Sequence, residues 1–144
     1  MRTGKAALLG AALSFGAALP ARAADGPQPG LWKVTVKADT DGVAAPENVG
    51  NRCLKPEQTK DIEKSFTPEV GAACKRVDFE WSGKKLSWHI TCTGPVSLDN
   101  SGRYEFDSPR HYTGELIVKM LLSPEHDMVA RTRIEGERIG DCPP

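Results

Sequence analysis

Apolar and polar residues alternate with a period of two over several short runs of this chain. Trp32, Val34 and Val36 alternate with Lys33, Thr35 and Lys37. Side chains of an extended strand point to opposite faces in turn, so this run predicts a strand with one buried and one wet face. Val77, Phe79 and Trp81 alternate with Arg76, Asp78 and Glu80, and after Ser82-Gly83-Lys84-Lys85 the alternation resumes with Leu86, Trp88 and Ile90. Two such runs around a short Gly-containing turn predict a β-hairpin, with Gly83 suited to the first central position of a type II′ turn. Tyr104 and Phe106 mark another short strand. Residues 111–121 mark the next, with Tyr112, Leu116, Val118 and Met120 on one side, and Met128, Ala130, Thr132 and Ile134 trace the last.

The segments between these runs carry turn chemistry. Residues 24–30 read as a flexible leader, 38–51 as a loop, 67–73 as a connector, and Asp99-Asn100-Ser101-Gly102 as a turn, because Asp, Asn, Gly and Pro are frequent and no period holds. One stretch is different. Leu54-Lys55-Pro56-Glu57-Gln58 predicts the opening of a short helix that continues to Lys64, since Pro is accepted in a first helical turn and Glu57 favours its positive end. Leu54, Ile62 and Phe66 are placed to pack on the sheet. Short consecutive connections favour antiparallel pairing. The expected fold is mainly β: a curled antiparallel meander sheet of about six strands with one short helix and two disulfides, closed by the helix and the N-terminal strand.

The N-terminus breaks this pattern. Arg2 and Lys5 precede an apolar run from Ala6 to Leu19, interrupted only by Ser14 and followed by Pro20 and the triplet Ala21-Arg22-Ala23. A charged start, an apolar run and small residues at alternate positions are the order of a secretory signal peptide. The run is shorter than the roughly 20 residues of a membrane span. Residues 1–23 are therefore expected to be removed, leaving 24–144 as one disulfide-bonded β-rich domain. The first cysteine is Cys53, so no cysteine stands at the new N-terminus to take a lipid. Removal of Arg2, Lys5 and Arg22 leaves 16 basic against 19 acidic side chains. A weakly acidic chain without a basic cluster does not suit nucleic acid or an anionic membrane surface.

Export also fixes the reading of the cysteines. Cys53, Cys74, Cys92 and Cys142 are an even set in an exported chain, which predicts two disulfides. They lack the close spacing of zinc ligands. Four cysteines allow three pairings. An unbroken hairpin register puts Asp78 opposite His89, Phe79 opposite Trp88 and Val77 opposite Ile90. Cys74 then faces Thr93 and Cys92 faces Lys75, so the two cysteines are diagonal neighbours that twist or a bulge brings into bonding reach. Cys53 is left with Cys142.

Several fragments, taken in order, resemble a known family. Pro29-Gly30-Leu31-Trp32-Lys33-Val34, Cys53-Leu54-Lys55-Pro56-Glu57-Gln58, lone Cys74, Cys92-Thr93-Gly94, Tyr112-Thr113-Gly114 and Arg138-Ile139-Gly140-Asp141-Cys142 are similar to the DUF3617 family (domain of unknown function 3617), small secreted bacterial proteins. The resemblance covers nearly all of residues 29–142. Lys55 departs from it, standing where a capping Ser or Thr is expected. The resemblance implies an exported, disulfide-bonded domain and assigns no catalytic residue.

The side chains add little chemistry to this. No Gly-x-Ser-x-Gly elbow is present, and oxidised cysteines supply no thiolate nucleophile. His89 falls on the polar face of the hairpin, where an exposed ion pair with Asp78 is expected. His111 stands beside Arg110, a poor setting for a cation, and His126 sits in the Glu125-His126-Asp127 turn, where three consecutive residues rarely aim at one ion. No catalytic, metal or cofactor site is expected. Trp32, Phe79, Trp81 and Trp88 fall on apolar faces and are read as core. The expected function is that of a soluble periplasmic or secreted domain, non-enzymatic, that binds an envelope protein or serves the envelope structurally. The alternative is a carrier of a small apolar ligand within the curled sheet, and the third reading is a hydrolase.

Overall fold

In the computed structural model, which describes residues 26–123 and 125–144, the chain forms one antiparallel sheet and two short helices. The expected signal peptide, residues 1–23, lies outside the described residues. The strands are β1 (Gly30–Thr40), β2 (Val43–Ala44), β3 (Asn48–Leu54), β4 (Cys74–Trp81), β5 (Lys85–Cys92), β6 (Ser97–Ser108), β7 (His111–Ser123) and β8 (His126–Gly140). The helices α1 (Pro56–Lys60) and α2 (Ile62–Phe66) come between β3 and β4. The sheet runs β2-β1-β8-β7-β6-β5-β4, with β3 also pairing to β1. Strands β4 to β8 are a meander, and β1 adds beside β8. The sheet stays open, with β3 and β2 along one edge and β4 along the other.

Eight strands stand where six were expected, and the reason is long-range pairing. Residues 38–51 carry turn residues, yet β1 extends to Thr40 because Lys37 to Thr40 pair with Arg133 to Ala130 of β8. The chain then reverses at Asp41 and Gly42, both with positive φ, and returns as β2 and β3 along the same side of β1. Residues 99–102 are not a turn either. β6 passes straight through them because β5 and β7 pair with it on both sides. The leader is not loose over residues 26–29. Gly26 and Pro27 are buried, Gln28 N–H donates to the Pro109 carbonyl at 2.8 Å, and its own carbonyl accepts from Trp32 Nε1 at 3.1 Å.

The single expected helix is two. Asp61 ends α1, its N–H bonding back to Glu57, and its carboxylate caps α2 by accepting from Lys64 N–H at 3.0 Å. Lys55 supplies no hydroxyl cap. Its N–H donates instead to Gln58 Oε1 at 2.9 Å.

By the cross-strand register, one face of the sheet is apolar and the other charged. α2 lies against the apolar face and drives Phe66 into it. The Phe66 ring stands edge-on to Tyr104, Phe106 and Tyr112, with centroids 5.2–5.3 Å away. Trp32, Leu54, Ile62, Leu86 and Trp88 complete the core. Three glycines make room for the aromatics. Gly102 is opposite Trp88, Gly114 opposite Tyr104 and Gly136 opposite Tyr112. A Cβ on any of them would come within 2.2–2.4 Å of the ring. Each ring can lie flat over the neighbouring strand only because that site has no side chain.

The β4–β5 hairpin corrects the unbroken register. Asp78 faces His89 and Phe79 faces Trp88, but Arg76, not Val77, faces Ile90. A bulge at Val77 adds one residue to β4 and turns that side chain outward, leaving it 55% exposed. The same extra residue brings Cys74 directly opposite Cys92.

Candidate functional site

All four cysteines are oxidised: Cys53 with Cys142, and Cys74 with Cys92. The first ties the end of β3 to the residues after β8, beside the helices. The second ties β4 to β5 at the opposite end of the sheet. Neither leaves a thiol for chemistry.

Two of the three histidines, His89 and His111, bond to carboxylates. His89 Nε2 pairs with Asp99 Oδ2 of β6 at 2.9 Å, not with Asp78 opposite it. His111 is the opposite of a poor setting for a cation. Asp107 lies 2.8 Å from Nδ1 and Glu135 lies 3.1 Å from Nε2. The Glu135 hydrogen bond, outweighing partial desolvation and helped by Asp107, raises the His111 pKa above its ordinary value. His126 is exposed at the start of β8. Among the described residues, no group of three or more His, Cys, Asp or Glu side chains could hold a metal ion.

A concavity of about 870 Å³ opens on the charged face, across β1, β8, β7, β6, β5 and β4. Its charges largely answer one another. Glu115 accepts from Arg103 Nη2 at 2.6 Å and lies 3.8 Å from Arg133 Nε, and Lys85 lies 3.9 Å from Glu105. Lys37, opposite Arg133, turns to Glu47 at 3.1 Å. These are exposed pairs worth about 0–1 kcal/mol each. The trough is a solvated ion-pair lattice.

The apolar face divides into two. Under the helices it is filled. Burial pushes the Tyr104 pKa up to about 12, with Tyr112 adding to the effect and Arg52 opposing it, and burial likewise raises that of Tyr112. Toward the turn end the helices stop and the sheet does not. There Leu98 faces Met120, Met120 faces Met128, and Val118 faces Ala130, all only half-buried. The turns at this end leave Val43 75%, Val96 40%, Leu121 48% and Leu122 52% exposed. Leu121 alternates with Met120 and points to the charged face, whereas Val43, opposite Thr40, stays on the strip's side; exposed apolar surface of this kind marks an interaction surface. The boundary between the halves holds three buried polar atoms without a protein partner: Trp88 Nε1, Arg76 Nε and Asn100 Oδ1.

The sequence places Val118, Met120 and Met128 on one side of their strands and no more, because alternation reports a face and not what covers it. One signal was available. Beyond Leu54, the helical segment offers only Ile62 and Phe66 as large apolar residues, too few to cover so long a sheet.

Among the described residues, no helix is long and apolar enough to cross a membrane. The model of a family described as a protein of unknown function (DUF3617) matches residues 27–142. No curated protein and no solved structure matches the chain.

Proposed function

We propose, from the premise that the chain belongs to the DUF3617 family, that it works outside the cytoplasm as a non-enzymatic binding domain, with the half-covered apolar strip as its contact surface. The observation that carries this reading is the strip itself: Leu98, Val118, Met120 and Met128 continue into exposed Val43, opposite Thr40, and into Leu122 at the end of β7. Water against apolar surface costs about 25 cal/mol for each Å² left uncovered, so a partner that covers it is favoured. Methionine adapts its flexible thioether to irregular apolar partners, which suits Met120 and Met128 to a contact surface. The signal-like residues 1–23 and the two disulfides support export to an oxidising compartment.

Native mass spectrometry of the protein isolated from its own envelope tests this. The expected species begins at Ala24, keeps both disulfides and carries a partner that is lost when Val43 and Leu122 are replaced by Asp. A bare chain retaining residues 1–23 would contradict it. The unpaired Trp88 Nε1, Arg76 Nε and Asn100 Oδ1 favour a second reading, a small amphiphile with its polar head at the boundary and its tail along the strip. A small-molecule adduct in the same spectrum would select that reading.

A further inference from the structure

We infer that the turn end of the sheet docks a cationic amphipathic segment of a partner protein; this rests on the strip being a contact surface and names what the surface fits. The strand register brings three turns to one end, because Thr40, Ala130, Val118, Asn100, Ile90 and Arg76 form one continuous row across the sheet. Just beyond that row lie residues 41–42, 93–96 and 125–127. The acidic side chains there are Asp41, Glu125 and Asp127, all exposed; Asp127 alternates with Met128 and points to the opposite face, which leaves Asp41 and Glu125 to edge the strip. No Lys or Arg stands in those segments. His126, also exposed, is the one further titratable group.

The nearest basic residues do not cancel this rim. Lys119 alternates with Val118 and Met120, so it points to the opposite face, where its cross-strand neighbour is Asp99. Lys75 alternates with Cys74 and Arg76 and points the same way. Arg76 is on the strip's side but is held by Glu63 in an ion pair. An apolar strip ended by acids complements a segment that is apolar on one side and basic at its margins. The same acids oppose an anionic lipid surface.

Three probes test the inference on the exported protein: an amphipathic helical peptide of Leu and Lys, its counterpart of Leu and Glu, and phosphatidylglycerol vesicles. Binding is read by calorimetry and by the shifts of the Met120 and Met128 methyl signals. The Leu/Lys peptide is expected to bind at least tenfold more tightly than the Leu/Glu peptide. That ratio should fall below threefold in the Asp41→Asn, Glu125→Gln variant. Asn at position 41 can still accept the Val129 N–H bond that Asp41 Oδ1 accepts at 2.9 Å. Val43→Asp with Leu122→Asp should abolish binding of both peptides. Equal affinity for the two peptides, lost in the Val43 and Leu122 variant, would overturn the cationic partner and leave the contact surface standing. Preference for the vesicles would overturn it in favour of a lipid. No methyl shift at Met120 or Met128 with any probe would overturn the contact surface as well.

Discussion

Crossing the apolar face of the sheet from the helix end to the turn end, the same strands present two different surfaces. β7 contributes Tyr112 to the first, where it is 2% exposed under Phe66, and Val118 and Met120 to the second, where they are half-buried. β5 passes from Leu86 and Trp88 in the core to Cys92 at the open end. In β7 and β8 the alternation runs through both halves. What separates them is the cover: the short pair α1 and α2 reaches across the aromatic rows and no further. A core is made by what lies over a face, and an apolar face without cover is a surface available for binding.

The disulfides are the strongest way to break the comparison, because each guards one half. Replacing Cys53 and Cys142 by Ser opens a loop with a sequence separation of 89. Chain entropy puts the expected loss at about 4–5 kcal/mol. Replacing Cys74 and Cys92 opens a separation of 18, for about 3 kcal/mol. Denaturant melts of both pairs check this. The second pair should also loosen the wall of the strip while leaving the aromatic core packed, which near-ultraviolet circular dichroism reports.

Single core substitutions come next. Trp88→Ala removes a ring 2% exposed and leaves a void over Gly102, for an expected cost of roughly 3–5 kcal/mol. Val118→Ala on the strip should cost about 1 kcal/mol or less, since its side chain is only half-buried. Gly136→Ala belongs with the core. A Cβ there would sit 2.2 Å from Tyr112 Cε1, so overpacking of about 1–3 kcal/mol is expected. Thermal melts of the three variants give the order directly. A Val118 loss as large as that of Trp88 would erase the distinction between the halves.

How much of this was legible follows from which forces are local. The alternation of Leu86, Trp88 and Ile90, and the inward set Met128 to Ile134, are local patterns and survive into the structure. Ile62 and Phe66 were equally readable as the apolar side of a helix. The strands over 38–51 and through Asp99 to Gly102 were hidden because pairing partners far along the chain overrode turn-forming residues. Gly102 shows why: its glycine serves the Trp88 ring and not a turn. The bulge at Val77 has no local signature and sets the register of Cys74. His111 was misjudged from its neighbour Arg110, since Glu135 is brought to it only by the β7–β8 pairing.

The smallest effect concerns that histidine, on the charged face. Its pKa is raised in the folded chain, by Glu135 first and Asp107 second. The protonated ring therefore stabilises the fold fully below its ordinary value of 6.5, and that contribution disappears as pH rises through the raised value. Solvent screening keeps it to about 0.5 kcal/mol or less. Melts at mildly acidic and mildly alkaline pH should show a small loss at the higher pH that His111→Gln removes. A His111→Gln protein with the same pH dependence would assign the loss elsewhere.

The division of the apolar face is tested most directly by methyl NMR with a dissolved paramagnetic agent. The account predicts strong broadening of the Met120 and Met128 methyl signals in the free protein, with those of Leu54, Ile62 and Leu86 left sharp. Protection of Met120 and Met128 equal to that of Leu54 would mean that the strip is already covered, and would contradict the account.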